Sequence, residues 1–189
     1  MNPVFDFESA ASALAAVVAG ISDDQLPAPT PMAGTTVREL LVHVVGLTEA
    51  FRQAATKEAV GNSQAPEIGP EAELVSDWRE RIPAQLKALV EAWREPAAWD
   101  GETEAGGVTM PAEIMATVAL DELVVHGWDL AEGTGQQLNV RESDLVTLHE
   151  FLRENPAEGT PGLFGPVVPI AADAPLFHRV LALTGRNPA

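Results

Sequence analysis

Met115-Ala-Thr-Val-Ala-Leu-Asp-Glu-Leu-Val-Val-His-Gly-Trp-Asp-Leu-Ala131 is the stretch on which the reading of this chain turns. It is apolar on most sides, as a helix at the centre of a bundle must be. The helix is predicted to run from Pro111, a residue suited to a first turn, to about Glu132, with Gly133 and Gly135 as stop signals. Glu122 and His126 are four residues apart in it, so both project from one face. A second helical pattern, Val37-Arg-Glu-Leu-Leu-Val-His-Val-Val-Gly-Leu47, carries His43 inside an apolar stripe of Leu40, Val44, Leu47 and Phe51. Two imidazoles and one carboxylate can hold a divalent ion and leave a coordination position open for chemistry. A buried, unpaired Glu122 is costly, and a shared cation removes that cost. Spacing alone also admits plainer roles, with the Glu–His pair as a solvent contact and His43 as a hydrogen-bonded core residue.

Outward from these two segments, the chain reads as helices joined by long connections, with no run of alternating strand residues. Helices are expected over Phe7–Gly20, from Thr36 onward, over Glu71–Arg94, over Pro111–Glu132, over Glu142–Asn155 and over Ala174–Leu183. Thr36-Val-Arg-Glu39 fits a capping box. Pro83 is expected to kink or split the third helix. Ser22–Gly34, Gly61–Gly69, Glu95–Val108 and Gly159–Pro169 read as turns and irregular connections. The fold class is therefore all-α, an antiparallel helical bundle with long connections and a final short helix, and residues 1–189 are expected to form one domain.

The chain is 46% hydrophobic, which argues against global disorder, and its formal net charge is −17. Such acidity repels phosphate backbones and anionic membranes, so neither nucleic acid nor a membrane is an expected partner. There is no cysteine and no tyrosine. That removes disulfides, thiolate zinc ligands, a cysteine nucleophile and a phenolic acid. The start, Met1–Glu8, has no basic region before an apolar stretch, and Ala10–Ile21 is too short to span a bilayer, so a cytoplasmic location is the default. Lysine occurs only at Lys57 and Lys87, beside abundant Arg and Ala, a bias associated with GC-rich bacterial genomes.

Asp129, three residues after His126, is placed either to orient a ligand histidine from behind, with a role in proton handling, or to face solvent or an arginine. Trp128 reads as a core aromatic, with a pocket-wall position as the alternative. His149 and His178 read as ordinary helix residues, since neither has a second ligand type at suitable spacing. The glycines of Gly101–Gly107 make no phosphate loop, and no Gly-x-Ser-x-Gly elbow occurs. Arg38 and Arg52 flank His43, as surface charges or as contacts for an anionic substrate.

At these residues the chain resembles the DinB-like metal-binding superfamily, and within it proteins with the mycothiol-dependent maleylpyruvate isomerase N-terminal domain. Thr30-Pro-Met-Ala-Gly-Thr-Thr-Val-Arg-Glu-Leu-Leu-Val-His43 is similar to that family's Thr-Pro-Cys-x-x-Trp-x-Val-Arg-Asp-Leu-Leu-x-His. Glu122-Leu-Val-Val-His-Gly-Trp-Asp-Leu-Ala131 matches its Glu-x-x-x-His-x-Trp-Asp-Leu-Ala throughout. Phe164–Pro175 and Leu181–Pro188 resemble the tail of a short, single-domain actinobacterial subgroup. The resemblance implies a DinB-like four-helix bundle whose His43, Glu122 and His126 hold a divalent metal, zinc by expectation. It also implies mycothiol or a similar low-molecular-weight thiol as cosubstrate in isomerisation or thiol transfer. Met32 and Thr35 depart from the family's Cys and Trp, and bear on the substrate or thiol rather than on the metal.

The leading expectation is a metal-dependent thiol S-transferase or isomerase that activates a thiol, or water, against a small electrophilic substrate. A second reading is a non-catalytic metal-binding or ligand-sensing bundle, including a homodimer. A third is a metal-free helical interaction module.

Overall fold

The capping box at Thr36 forms. The Glu39 backbone N–H donates to Thr36 Oγ1 at 3.3 Å, and the Thr36 backbone N–H donates to Glu39 Oε2 at 2.8 Å. Two of the free donors at a helix start are thereby satisfied, and helix α2 runs from there over Val37–Thr56. Its Leu40, Leu41, Val44 and Leu47 are buried at helical spacing. Lys57, in the left-handed region at φ 64°, closes it.

The computed structural model describes residues 2–58, 60–66, 68–160 and 164–188. Glu67, within the connection expected over Gly61–Gly69, and residues 161–163, within the irregular segment expected over Gly159–Pro169, lie outside the described residues. The chain divides into two compact units, Met1–Leu138 and Asn139–Ala189.

In the first unit, α1 (Glu8–Ala19), α2, α3 (Trp78–Arg94) and α4 (Ala112–Thr134) form the helical bundle, α1 and α2 each packing against both α3 and α4. Helix α4 buries side chains on nearly every face, among them Leu120, Leu123, Val124, Val125 and Leu130, as its composition requires. It is stopped by Gly135 in the left-handed region at φ 67°. Gly133 is no stop signal. It lies inside α4, where an added Cβ would sit 3.1 Å from both the Pro29 carbonyl oxygen and Val37 Cγ2, so it admits close packing of the segment leading into α2.

Three expectations change. Helix α3 begins at Trp78, not Glu71. Residues 71–77 form a non-helical connection, and Arg38 Nη1 donates to the Ala72 carbonyl at 3.0 Å. Pro83 does not divide the helix, whose Ile82 and Leu86 are buried on either side of it. The expected loop Glu95–Val108 contains a short helical turn, Pro96–Trp99, and the first strand of an antiparallel hairpin, β1 (Glu102–Ala105) and β2 (Val108–Pro111). Its two-residue turn is Gly106-Gly107, with φ 59° and 78°, the conformation that glycine alone adopts cheaply in such a turn. Strands of four residues are too short to show alternation convincingly.

In the second unit, α5 (Glu142–Leu152) packs on α6 (Leu176–Leu183). The intervening chain is pinned by Val167 N–H to the Ala157 carbonyl and Val168 N–H to the Ala182 carbonyl, both at 2.9 Å. Among the described residues, no helix is long and apolar enough to cross a membrane.

Candidate metal centre

His43 reaches the site from the second turn of α2, and Glu122 and His126 reach it from consecutive turns of α4. The two helices pack directly against each other. His126 Nε2 lies 3.0 Å from Glu122 Oε2, and His43 Nε2 lies 3.6 Å from the same oxygen. The imidazole rings stand edge to face, centroids 5.0 Å apart and planes at 86°. One ligand atom from each of the three residues lies within 4.8 Å of the others.

Zinc–nitrogen and zinc–oxygen bonds of about 2.0–2.2 Å place tetrahedral donors roughly 3.3–3.5 Å apart. The two measured separations bracket that spacing, so the donor set fits one small divalent cation after modest side-chain adjustment. The centre is open on one side: the His43 and Glu122 side chains keep 16% and 19% of their accessible surface, against 8% for His126.

Behind His126, Asp129 Oδ2 lies 3.2 Å from Nδ1, and Asp129 is fully buried. A proton on Nδ1 shared with that carboxylate leaves Nε2 directed at Glu122 and the ligand position. His43 lacks such support: its Nδ1 is buried and has no hydrogen-bond partner among the described residues.

The electrostatics follow from the same contacts. Burial opposes the charge on His126, but the Glu122 carboxylate and the hydrogen bonds to Asp129 and Glu122 outweigh it, raising the imidazole to about 9. Burial likewise opposes ionisation of Glu122. The neighbouring His126 charge, with hydrogen bonds from His126 and His43, overrides it and holds the carboxyl well below the usual carboxylate range. In the metal-free protein a proton on His126 therefore supplies the positive charge that a cation would otherwise provide.

The remaining candidates are elsewhere engaged. Arg38 donates to the Ala72 carbonyl, and Arg52 pairs with Glu49 and Glu58 at 2.8 Å each. His149 and His178 lie on α5 and α6 of the second unit and are not members of the three-residue cluster. Trp128 is buried on α4. Met32 and Thr35 close the turn before α2, the Thr35 N–H donating to the Met32 carbonyl at 3.0 Å. Gly46, one turn beyond His43, drew no attention in the sequence because a lone helical glycine carries no signal of its own. Its neighbour in space is Pro66, whose Cβ lies 2.7 Å from where a Gly46 Cβ would be.

Comparison with known proteins adds a lineage to this geometry. The family model of the mycothiol maleylpyruvate isomerase N-terminal domain matches residues 7–131, a span containing all four candidate residues. Two uncharacterized proteins of Mycobacterium tuberculosis, one from strain CDC 1551 / Oshkosh and one from strain ATCC 25618 / H37Rv, are each 30% identical over 186 residues, covering 93% of this chain and 89% of theirs. The crystal structure of the mycothiol-dependent maleylpyruvate isomerase superposes with a TM-score of 0.56 at 22% identity, and that of a histidine-to-alanine mutant with 0.55 at 21%. Each match covers 76% of this chain and 65% of the solved chain, and at that identity it shows a shared fold.

Proposed function

The chain belongs to the mycothiol maleylpyruvate isomerase N-terminal domain family, and from that membership and the geometry of the centre we propose that it is a divalent-metal-dependent enzyme, an isomerase or S-transferase, that activates a low-molecular-weight thiol against a small electrophilic substrate. The observation carrying this reading is the convergence of His43 Nε2 and His126 Nε2 on one Glu122 oxygen, with an accessible edge on the His43–Glu122 side. His43, Glu122 and His126 would hold the ion, zinc by the chemistry of a two-imidazole, one-carboxylate donor set. Bound there, it would supply Lewis acidity that favours the thiolate form of an incoming thiol, or hydroxide from water.

The protein's own contribution is positional. Asp129 is sealed behind His126, so it acts on the ligand histidine and touches neither thiol nor electrophile. Its carboxylate fixes the tautomer and the direction of the ring. The apolar sides of α4 limit water around the centre and strengthen the charge interactions within it. Mycothiol as the thiol rests on the family relationship, as does a substrate related to maleylpyruvate.

Elemental analysis of the purified protein beside His43→Ala and Glu122→Ala tests the reading. One equivalent of metal in the wild type and less than a tenth of that in each variant is expected. Equal metal in all three overturns the ligand assignment. Turnover of electrophiles that requires added thiol then separates an enzyme from a metal-bearing binding protein.

A further inference from the structure

A segment outside the helices, residues 61–66, is tied to the hairpin and meets α2 one turn beyond His43. Glu104 of β1 anchors it: the carboxylate accepts the Gly61 backbone N–H at 2.6 Å, the Ser63 backbone N–H at 3.1 Å and the Ser63 hydroxyl at 2.6 Å. Ser63 Oγ in turn accepts the Gly107 N–H of the hairpin turn at 2.8 Å. Thr103, also on β1, donates its hydroxyl to the Ala54 carbonyl near the end of α2, so the anchor is itself fixed to the helix that carries His43. At the far end of the segment, Pro66 rests on Gly46. His43 and Gly46 are three residues apart on α2, about 60° around the axis and one turn along it.

We propose that residues 61–66 form the wall of the metal pocket on the His43 side and set the size of the thiol that the centre admits, with Gly46 and Ser63 as the residues that hold the wall in place. The proposal rests on the thiol-activating reading above. Gly46 matters because it has no side chain. An alanine Cβ would lie about 1 Å inside van der Waals contact with the Pro66 ring, and the wall would lift away from α2. Ser63 matters because its hydroxyl joins the segment at once to Glu104 and to the hairpin turn. Charge plays no part in either change, which isolates size as the variable.

The test uses cobalt(II)-loaded wild type, Gly46→Ala and Ser63→Ala, reading the sulfur-to-cobalt charge-transfer absorption as two uncharged thiols are titrated in: 2-mercaptoethanol and the bulkier 1-thio-β-D-glucose. Cobalt stoichiometry and 2-mercaptoethanol affinity should stay within twofold across the three proteins, while the affinity of the bulky thiol relative to the small one rises at least fivefold in the variants. If Gly46→Ala does not fold, Ser63→Ala decides alone. An unchanged ratio in variants that bind cobalt and the small thiol normally overturns the wall assignment only. A wild type that takes up cobalt but shows no charge-transfer band with either thiol overturns the thiol reading and this proposal with it.

Discussion

His126 carries the chemistry of the proposed centre in miniature, because there one nitrogen would have to choose between a proton and a metal. In the metal-free protein its proton is held to about 9, above an ordinary value of 6.5, by Glu122 and Asp129. A raised value in the folded state means stabilisation that is complete below pH 6.5 and lost as pH rises through about 9. Thermal melting of the metal-free protein should therefore shift downward from pH 6.5 to pH 9.5, and a flat profile there would contradict the charge arrangement. Metal binding must expel the same proton. Apparent zinc affinity, measured in chelator-buffered titrations, should rise by up to about tenfold per pH unit from pH 6 and level off above pH 9. Asp129→Asn keeps the shape but not the charge behind the ring, and at the high-pH plateau, where the proton no longer competes, it should lower affinity roughly 10- to 100-fold. Of these residues, Glu122 and His126 were legible as a pair because one helix period joins them. That His43 meets them, and that Asp129 turns inward and not to solvent, depends on how α2 and α4 face each other, which no local spacing encodes.

At the scale of elements, the sequence speaks where a local rule suffices. The start of α2 was legible in Thr36-Val-Arg-Glu39 because a capping box is a local contract between side chains and backbone. Helix α4 was legible because its apolar surface leaves no other place for it than the centre. The hairpin was not, although its Gly106-Gly107 turn is a recognised two-residue loop, because four-residue strands offer too few positions for a period of two to stand out. Before the late start of α3, Arg38 from another helix donates to the Ala72 carbonyl, a contact between distant residues that local spacing does not encode. The α2 cap lends itself to a measurement. Thr36→Ala removes the acceptor for the Glu39 N–H and should cost about 1 kcal/mol of stability in denaturant melts. Zinc affinity should change less than twofold, since His43 sits a full turn and more beyond the frayed end. A large loss of affinity would show that the ligand position depends on the helix terminus.

Over the molecule as a whole, charge is unevenly divided. Met1–Leu138 contains 22 Asp and Glu against seven Lys and Arg, a net of −15 of the chain's −17. Those seven basic side chains are themselves committed: Arg52, Arg79, Arg81, Lys87 and Arg94 face carboxylates, and Arg38 and Lys57 face backbone carbonyls. The unit that bears the candidate ligands thus surrounds them with a negative field that its own cations do little to interrupt at short range. Such a field draws in divalent cations and slows anions, and salt weakens it over a screening length of roughly 10 Å at 0.1 M. A rate is the quantity that isolates this effect, because the ligand contacts are short enough to escape most screening once the ion is seated. Stopped-flow uptake of cobalt(II) by the metal-free protein should slow several-fold between about 0.01 M and 0.5 M salt, with the release rate changing far less. If association proves indifferent to salt, the acidity of this unit serves solubility alone, and the centre fills by unaided diffusion.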